Sequence, residues 1–430
     1  MKFFNKKIIF ILLGVVWSLS LRAQVTIEEC VSKAEANYPL ISKYKLLEET
    51  CNIDLEEINN SWLPRIGVYG QVTGQNVVPA FPKSLTGMLD QMGQSMKGLG
   101  KVQYKIGVDV SQNIWDGGSS KSQRELKRAQ EAVNRSALDV EMYALRQRVE
   151  SVFFAILLIE EQIEQSEITL NLLQKNLEQI LSKVRNGVAM QCDADMVEAQ
   201  ALALKQNIAQ AKSAAEGYGD VLELFIGETI DGVKLERPSA EIPPSNENNR
   251  PELRLFDRQR QANEIARRLA DTSLMPKIGL FAQAYYGYPG FDYFKSMMNR
   301  DLTFNILAGI KASWNIDSFY SKKNTHRQTI VRAQEIEADR ELFLFNNDIL
   351  SASQKEAIRG LREVMKDDSR IIQLRGNVRK AAESQLANGV IDATALLTKI
   401  SDENIAQLNA RLHEIQLIKE IYNLKYTLNR

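Results

Sequence analysis

The residues that most often perform chemistry in proteins are few and scattered in this sequence. His326 and His413 are the only two histidines, and they lie far apart. We interpret each as a solvated helix residue rather than a metal ligand or a general base. No glycine-rich phosphate loop occurs, since the glycines fall in strands and loops. The sequence therefore predicts no catalytic residue, no metal site and no cofactor, and we do not expect an enzyme.

The cysteines are also too few to define a site. Cys30, Cys51 and Cys192 are the only three in the chain, which cannot support a disulfide framework. We expect all three to be small buried hydrophobic residues. An oxidising compartment would still allow Cys30 to pair with Cys51.

Two short motifs mark turns between long helical stretches. They are Asn186-Gly187-Val188 and Asn388-Gly389-Val390. Glycine supplies the left-handed residue that ends a helix, so a helix is expected to stop at each motif. Aspartates follow both turns, and Asp193 and Asp392 can cap the helices that come next.

The first 23 residues have the features of a secretory signal peptide. Three lysines precede the apolar run Ile8–Leu21, and Ala23 is a small residue at a plausible cleavage point. A retained transmembrane anchor is the alternative, but the run is short for a bilayer span. Removal of residues 1–23 takes away four basic residues and leaves 50 against 54 acidic ones, so no nucleic-acid partner is expected.

The remaining sequence occurs twice. LPRIGVY at Leu63–Tyr69 recurs 212 residues later as MPKIGLF at Met275–Phe281. GVDVSQNI at Gly107–Ile114 recurs 202 residues later as GIKASWNI at Gly309–Ile316. Matches in one order indicate a tandem duplication. The predicted boundaries are a first repeat at 24–236, a proline- and asparagine-rich linker at 237–251, and a second repeat at 252–430.

Each repeat contains two stretches in which apolar and polar residues alternate. In Tyr104–Ile114 every second residue from Tyr104 is apolar except Gln112, and the residues between are polar or glycine. A half-buried strand in a soluble sheet would explain one such stretch, but four of them with aromatic ends favour membrane β-barrel strands. The predicted strands are 65–74, 103–115, 277–287 and 303–316. Four strands cannot close a spanning barrel, so several copies must share one.

The other long segments are predicted to be coiled-coil helices. Ser119–Arg185 contains neither proline nor glycine, and a single helix of that length would extend roughly 100 Å. Within it, apolar residues from Ile156 to Val184 recur at steps of three and four, and the stretch after the first turn behaves alike.

These features together resemble the TolC-type outer membrane efflux proteins. The resemblance covers essentially the whole mature chain: LPRIGVYG and MPKIGLFA enter strands, NIWDGG leads into a long helix, NRPEL opens the second half, and NGV turns recur. It implies a mainly α fold with β-strands, in which three chains form a shared 12-stranded β-barrel in the outer membrane. The helices would continue it as a hollow coiled-coil barrel across the periplasm.

The resemblance also implies a function, partners and sites. The trimer would be the passive exit duct of a tripartite efflux or type I secretion system, working with a periplasmic adaptor and an inner-membrane pump of the RND, ABC or MFS type. The turns at 186–188 and 388–390 would form the periplasmic tips that dock the adaptor. Asp116, Gly117 and Gly118 would form the corner where strand changes to helix.

A constriction near the tips is a further expectation. In some relatives, acidic residues six and nine places after the second turn glycine form cation-attracting rings, but Ala395 and Thr398 stand at those places here. Asp193, Asp195 and Asp392 are the candidates instead, with helix capping or a solvated face as the alternative role.

Two other protein classes share some of these features. A periplasmic adaptor also carries a long α-hairpin, but it would need compact β domains and normally has one hairpin rather than two. A soluble coiled-coil scaffold leaves the strand pattern without an explanation.

Overall fold

The computed structural model describes residues 25–93, 98–229, 234–242 and 247–429. The signal peptide predicted at 1–23 lies outside these residues. The chain forms two compact units. The strand unit comprises Lys45–Arg135 and Phe256–Ala338, and the hairpin unit comprises Met1–Tyr44, Ser136–Leu255 and Asp339–Arg430.

Nine helices and four strands make up the described chain. In order they are α1 (Ile27–Asn37), α2 (Ile41–Asn60), β1 (Arg65–Gly74), α3 (Lys83–Gln91), β2 (Val102–Trp115), α4 (Ser119–Arg185), α5 (Gln191–Ile226), α6 (Pro251–Thr272), β3 (Lys277–Tyr288), α7 (Tyr293–Met298), β4 (Thr303–Ser313), α8 (Ser318–Ala387) and α9 (Ala393–Leu428). None of the described helices combines the length and the apolar character needed to cross a lipid bilayer.

The four strands form one antiparallel sheet in the order β1-β2-β3-β4. Their register places residues of one kind side by side, because alternate residues of a strand face opposite sides. One row across the sheet is Val68, Val108, Ala284 and Ile306, and the neighbouring row on the other side is Gly67, Asp109, Gln283 and Leu307. The sheet therefore has an apolar face and a largely polar face, as the alternation predicts.

The first strand-to-helix corner is held by one carboxylate. Asp116 accepts hydrogen bonds from the backbone N–H of Gly118 at 3.0 Å and of Ser120 at 2.6 Å. Burial alone would raise the pKa of this carboxyl, but the hydrogen bonds from Ser120 and Gly118 hold it below its usual value. Gly117 and Gly118 have φ of +71° and +85°. The two glycines therefore adopt backbone conformations that other residues strongly disfavour.

The second corner is built from aromatic contacts instead. Trp314 donates its indole N–H to the carbonyl of Leu274 at 3.0 Å, and its ring packs edge-on against Phe319. Strand β4 ends at Ser313 rather than at 316, because Ser313 pairs with Lys277, the first residue of β3, and the ladder ends there.

The core of the hairpin unit gathers around the middle of α4. Phe153 and Phe154 are fully buried there, with α1, α5 and α9 contributing further apolar residues. Cys30 belongs to this core, but the expectation that all three cysteines are buried is wrong. Cys51 is half-buried and Cys192 is exposed, and all three thiols are free. Cys192 lies in the first turn of α5, on the side away from the buried Ala194.

One acidic side chain lies in this core. Glu150 is only 6% exposed, and it accepts a hydrogen bond from Arg146 Nε at 3.0 Å. Burial raises the pKa of Glu150 to about 7, and the hydrogen bond and charge of Arg146 offset only part of that effect. Ionised Glu150 is therefore a cost to the folded state at pH values above neutral.

We expect Gly117→Ala to destabilise the protein more than Gly118→Ala. Both variants place a side chain at positive φ, at a cost of about 1 kcal/mol. A Cβ on Gly117 would also stand 2.5 Å from Met275 Cβ, whereas nothing lies within 4 Å of one on Gly118. Overpacking of this kind costs about 1–3 kcal/mol more. Thermal unfolding in detergent measures both, and equal losses of stability would show that the close approach to Met275 adds no cost.

We expect Glu150→Gln to stabilise the protein at pH 8 and to have little effect at pH 5. The carboxyl ionises at about 4.5 when exposed and at about 7 when folded. Between these two pKa values the folded state binds the proton and the unfolded state does not. The free energy of unfolding therefore falls as the pH rises from about 4.5 to about 7, and Glu150 destabilises the fold above that range. The gain at pH 8 should be about 3 kcal/mol. Melting curves at both pH values, with Glu178→Gln on an exposed position of α4 as control, test this. A gain that does not change with pH would contradict it.

Candidate functional site: the hairpin tips

The first tip closes with a Schellman turn. Helix α4 ends at Arg185, and the N–H of Gly187 donates to the carbonyl of Val184 at 3.0 Å. The N–H of Val188 donates to the carbonyl of Lys183, also at 3.0 Å. Gly187 has φ of +73°, which confirms the expected left-handed conformation. This pattern satisfies carbonyls that the end of a helix leaves unpaired.

The second tip repeats the same turn. Helix α8 ends at Ala387, and Gly389 and Val390 donate to the carbonyls of Leu386 and Gln385 at 3.2 and 2.9 Å. Gly389 also has φ of +73°. The two NGV motifs of the sequence therefore form one backbone structure twice.

A lysine joins the two tips. Lys183 belongs to the last turn of α4, and its Nζ donates to the carbonyls of Leu386 and Ala387 at 3.0 and 3.3 Å. These carbonyls end α8, where the helix dipole favours a cation. The side chain of one hairpin thus caps a helix of the other. Sequence reasoning did not find this residue: a basic residue near a helix C-terminus is a known signal, but it does not indicate which helix is capped.

Apolar residues pack beneath the lysine. Ile180, Ala194, Val197 and Ala393 are buried together, and Leu386 packs against them. This small core joins both hairpins of the chain close to their ends. The two tips are therefore held in one place by packing as well as by Lys183.

The ends of the tips are apolar and exposed. Val188 is 72% exposed and Val390 is 70% exposed, and Met190 beside the first tip is exposed to the same degree. A groove runs between the two turns, lined by Val188, Met190, Val390 and the side chain of Asp193. Exposed apolar groups of this kind are typical of surfaces that contact another protein.

The three candidate aspartates have different surroundings. Asp392 is the N-cap of α9 and accepts from the N–H of Ala395 at 2.8 Å. Asp193 is half-buried and accepts from the N–H of Met190 at 3.3 Å, so it caps α5 from inside the first turn. Asp195 is exposed and accepts from Gln191 Nε2 at 2.7 Å. Thr398, at a place where some relatives carry an acid, donates to the carbonyl of Thr394.

The histidines lie elsewhere, and each contacts a carboxylate. His326 Nε2 lies 2.8 Å from Asp271 Oδ1, and His413 Nδ1 lies 2.9 Å from Asp368 Oδ2. Both are partly exposed helix residues, and each ring is hydrogen-bonded to a carboxylate of a neighbouring helix. No group of three or more histidine, cysteine or acidic side chains in the described chain is arranged to hold a metal.

The candidate residues fall into two groups. The structure brings the two NGV turns together with Asp193 and Asp392 in the hairpin unit. Asp116, Gly117 and Gly118 belong to the strand unit, where they form the first corner.

Comparison with known proteins agrees with this architecture. Residues 31–216 match the model of the family described as outer membrane efflux protein. Comparison with curated protein sequences gives no match.

Several solved structures have the same fold. The outer membrane protein VceC of Vibrio cholerae is 11% identical with a TM-score of 0.66, and the match covers 94% of each chain. The outer membrane channel CmeC of Campylobacter jejuni is 12% identical with a TM-score of 0.65, covering 94% of this chain and 85% of that one. The outer membrane channel MtrE of Neisseria gonorrhoeae is 14% identical with a TM-score of 0.64, covering 94% and 88%.

At these identities the solved structures establish only the fold. The family match over residues 31–216 is the observation that indicates the kind of function. The predicted fold of long helical hairpins with a four-stranded sheet is confirmed. The family match also supports the expectations of an outer-membrane location and of a protein that is not an enzyme. Residues 31–216 therefore match the outer membrane efflux protein family, and the chain has the fold of these solved outer-membrane channels.

Proposed function

We propose that this protein is the outer-membrane exit duct of a tripartite efflux or type I secretion system. It passively conducts small molecules or an exported protein from a pump to the exterior. The observation that carries the proposal is the four-stranded sheet, which has an exposed apolar face and two free edges. The periplasmic adaptor considered from the sequence finds no support, because the family match is to efflux proteins.

The apolar face requires a cover that the single chain does not provide. On the outer strands Val68 and Val72 are 74% and 75% exposed, and Ile306 and Ile310 are 62% and 72% exposed. A continuous apolar surface of this size is a liability in water and fits the hydrocarbon of a bilayer. We therefore assign this face to outer-membrane lipid.

The free edges require partners of the same kind. Among the described residues, β1 pairs only with β2, and β4 pairs only with β3. In hydrocarbon each unpaired backbone group costs several kcal/mol, so sheets in membranes close into barrels. Pairing of β1 in one copy with β4 in the next closes such a barrel. Three copies with four strands each give the homotrimer of the proposed duct.

The hairpin tips are assigned to the adaptor. Their exposed valines and the groove between them offer an apolar contact at the end of the long helices. The inner-membrane pump, of the RND, ABC or MFS type, would act through that adaptor. Among the acidic residues near the tips, Asp195 is the one we assign to a constriction, since Asp193 and Asp392 cap helices.

We expect Gly187→Val combined with Gly389→Val to abolish efflux while trimers still form in the outer membrane. Valine at φ of +73° strains each turn by about 1 kcal/mol or more, and no residue of the sheet is altered. The assay is drug accumulation in a strain lacking the chromosomal gene and carrying each variant. The control is Gly217→Val with Gly360→Val, at glycines that lie inside helices with free space around them.

Normal efflux by the tip variant would show that the adaptor does not dock on the tips. If the wild-type gene itself restores no efflux to the deletion strain, the proposed function is wrong.

We expect the loops between paired strands to face the exterior. In a Cys192→Ser background, an impermeant maleimide should label Met88→Cys and Tyr293→Cys in intact cells, since both positions are exposed in the loops. Val188→Cys at a tip should be labelled only after the outer membrane is opened. Labelling of Val188→Cys in intact cells with silent loops would reverse the orientation.

A further inference from the structure

The polar face of the sheet carries more cations than carboxylates. The register places Arg65, Lys105, Lys277 and Lys311 on the same side as Asp109. Asp109 is the one carboxylate among the strand residues of that side, and its Oδ1 accepts a hydrogen bond from Gln283 at 2.8 Å. The apolar face carries no charged residue in any of the four strands. The excess charge is therefore confined to the face that lipid would not cover.

Three of the cations lie at the end of the sheet that joins the helices. Arg65 is the first residue of β1, Lys277 is the first residue of β3, and Lys311 stands near the end of β4. Because neighbouring strands are antiparallel, the start of β1, the start of β3 and the end of β4 lie at the same end of the sheet. All three side chains are exposed. We call these three residues the basic rim.

Two members of the basic rim are placed against each other. Lys311 pairs with Gly279 and Lys277 pairs with Ser313, so the two lysines are diagonal neighbours on adjacent strands. Diagonal neighbours lie about 7–8 Å apart, and like charges at such positions repel. A sheet selected for stability alone would gain from an acid at one of these places.

The carboxylates at the two strand-to-helix corners offer the basic rim little countercharge. Asp116 is buried and bonded to the backbone of the first corner. Asp317 at the second corner is exposed and provides one countercharge. Within the part of the chain that is described, no ion pair involves Arg65, Lys277 or Lys311. Further along the face, Lys105 lies 5.6 and 5.3 Å from the ring centroids of Tyr69 and Tyr285.

We propose that the basic rim makes the part of the duct formed by the sheet attract anionic substrates, such as carboxylated, sulfonated or phosphorylated small molecules, independently of any acidic ring at the tips. The proposal rests on the proposed function, since the polar face becomes a lining only when copies close a barrel. Each copy adds its own rim, so the excess positive charge surrounds one pore. A wall of one charge sign raises the local concentration of ions of the opposite sign.

The test is the ratio of chloride to potassium permeability of the trimer in planar bilayers, obtained from reversal potentials in a KCl gradient. We expect Arg65→Gln, Lys277→Gln and Lys311→Gln together to lower this ratio. Removal of one unit charge about 7 Å from an ion in water changes its local concentration roughly threefold, so the combined variant should exceed that change. The effect should shrink as the salt concentration rises.

Two control variants fix the interpretation. Asp109→Asn removes the opposing charge on the same face and should raise the ratio. Lys43→Gln, Lys45→Gln and Lys83→Gln together remove three exposed cations that lie off the strands, and the ratio should stay near the wild-type value.

The outcomes separate this proposal from the function on which it rests. A conducting trimer whose ratio is unchanged in the rim variant, or changes as much in the off-strand control, overturns the selectivity and leaves the exit duct standing. A wild-type protein that forms no conducting pore overturns the duct itself.

Discussion

The unpaired backbone groups on the two outer strands are the constraint on which the rest of the structure depends. In the part of the chain that the structure describes, β1 and β4 each leave one edge of the ladder without a partner, beside a face of exposed valine and isoleucine. For a single copy the apolar face is unfavourable in water, and the unpaired edges are unfavourable in water and in lipid. Both are resolved by one step, the closure of several sheets into a barrel within a membrane. The sheet of one chain is therefore one part of a shared barrel, and the long helices begin where that barrel leaves the membrane.

Strand-to-helix corners show how the duplicated sequence solves one problem in two ways. The first corner uses Asp116 and two glycines, and the second uses Trp314 packed on Phe319. A carboxylate that binds backbone N–H groups fixes a turn by hydrogen bonds, whereas an indole fixes it by burial and one hydrogen bond. The two repeats have diverged in side chains while the change from sheet to helix is kept.

Elements with a strong local signal could be predicted from the sequence. Alternation fixed the strands to within a few residues, and glycine in each NGV motif fixed the helix ends, because backbone geometry depends there on the residues themselves. Contacts between distant segments could not be predicted. The end of β4 depends on where β3 begins, the partners of His326 and His413 lie on other helices, and the exposure of Cys192 depends on which side of α5 is packed.

Lys183 shows why repeat symmetry in the sequence does not make the two tips equivalent. Both tips have the same Schellman turn and the same positive φ. At the place of Lys183 the second repeat has Gln385, which is exposed and carries no charge. The cation of the first hairpin caps α8 of the second, and the repeat offers no such cation in return. In a trimer the tips would alternate between two kinds, one bearing the lysine and one accepting it. The duplication thus supplies a common backbone, and single substitutions give its two copies different contacts.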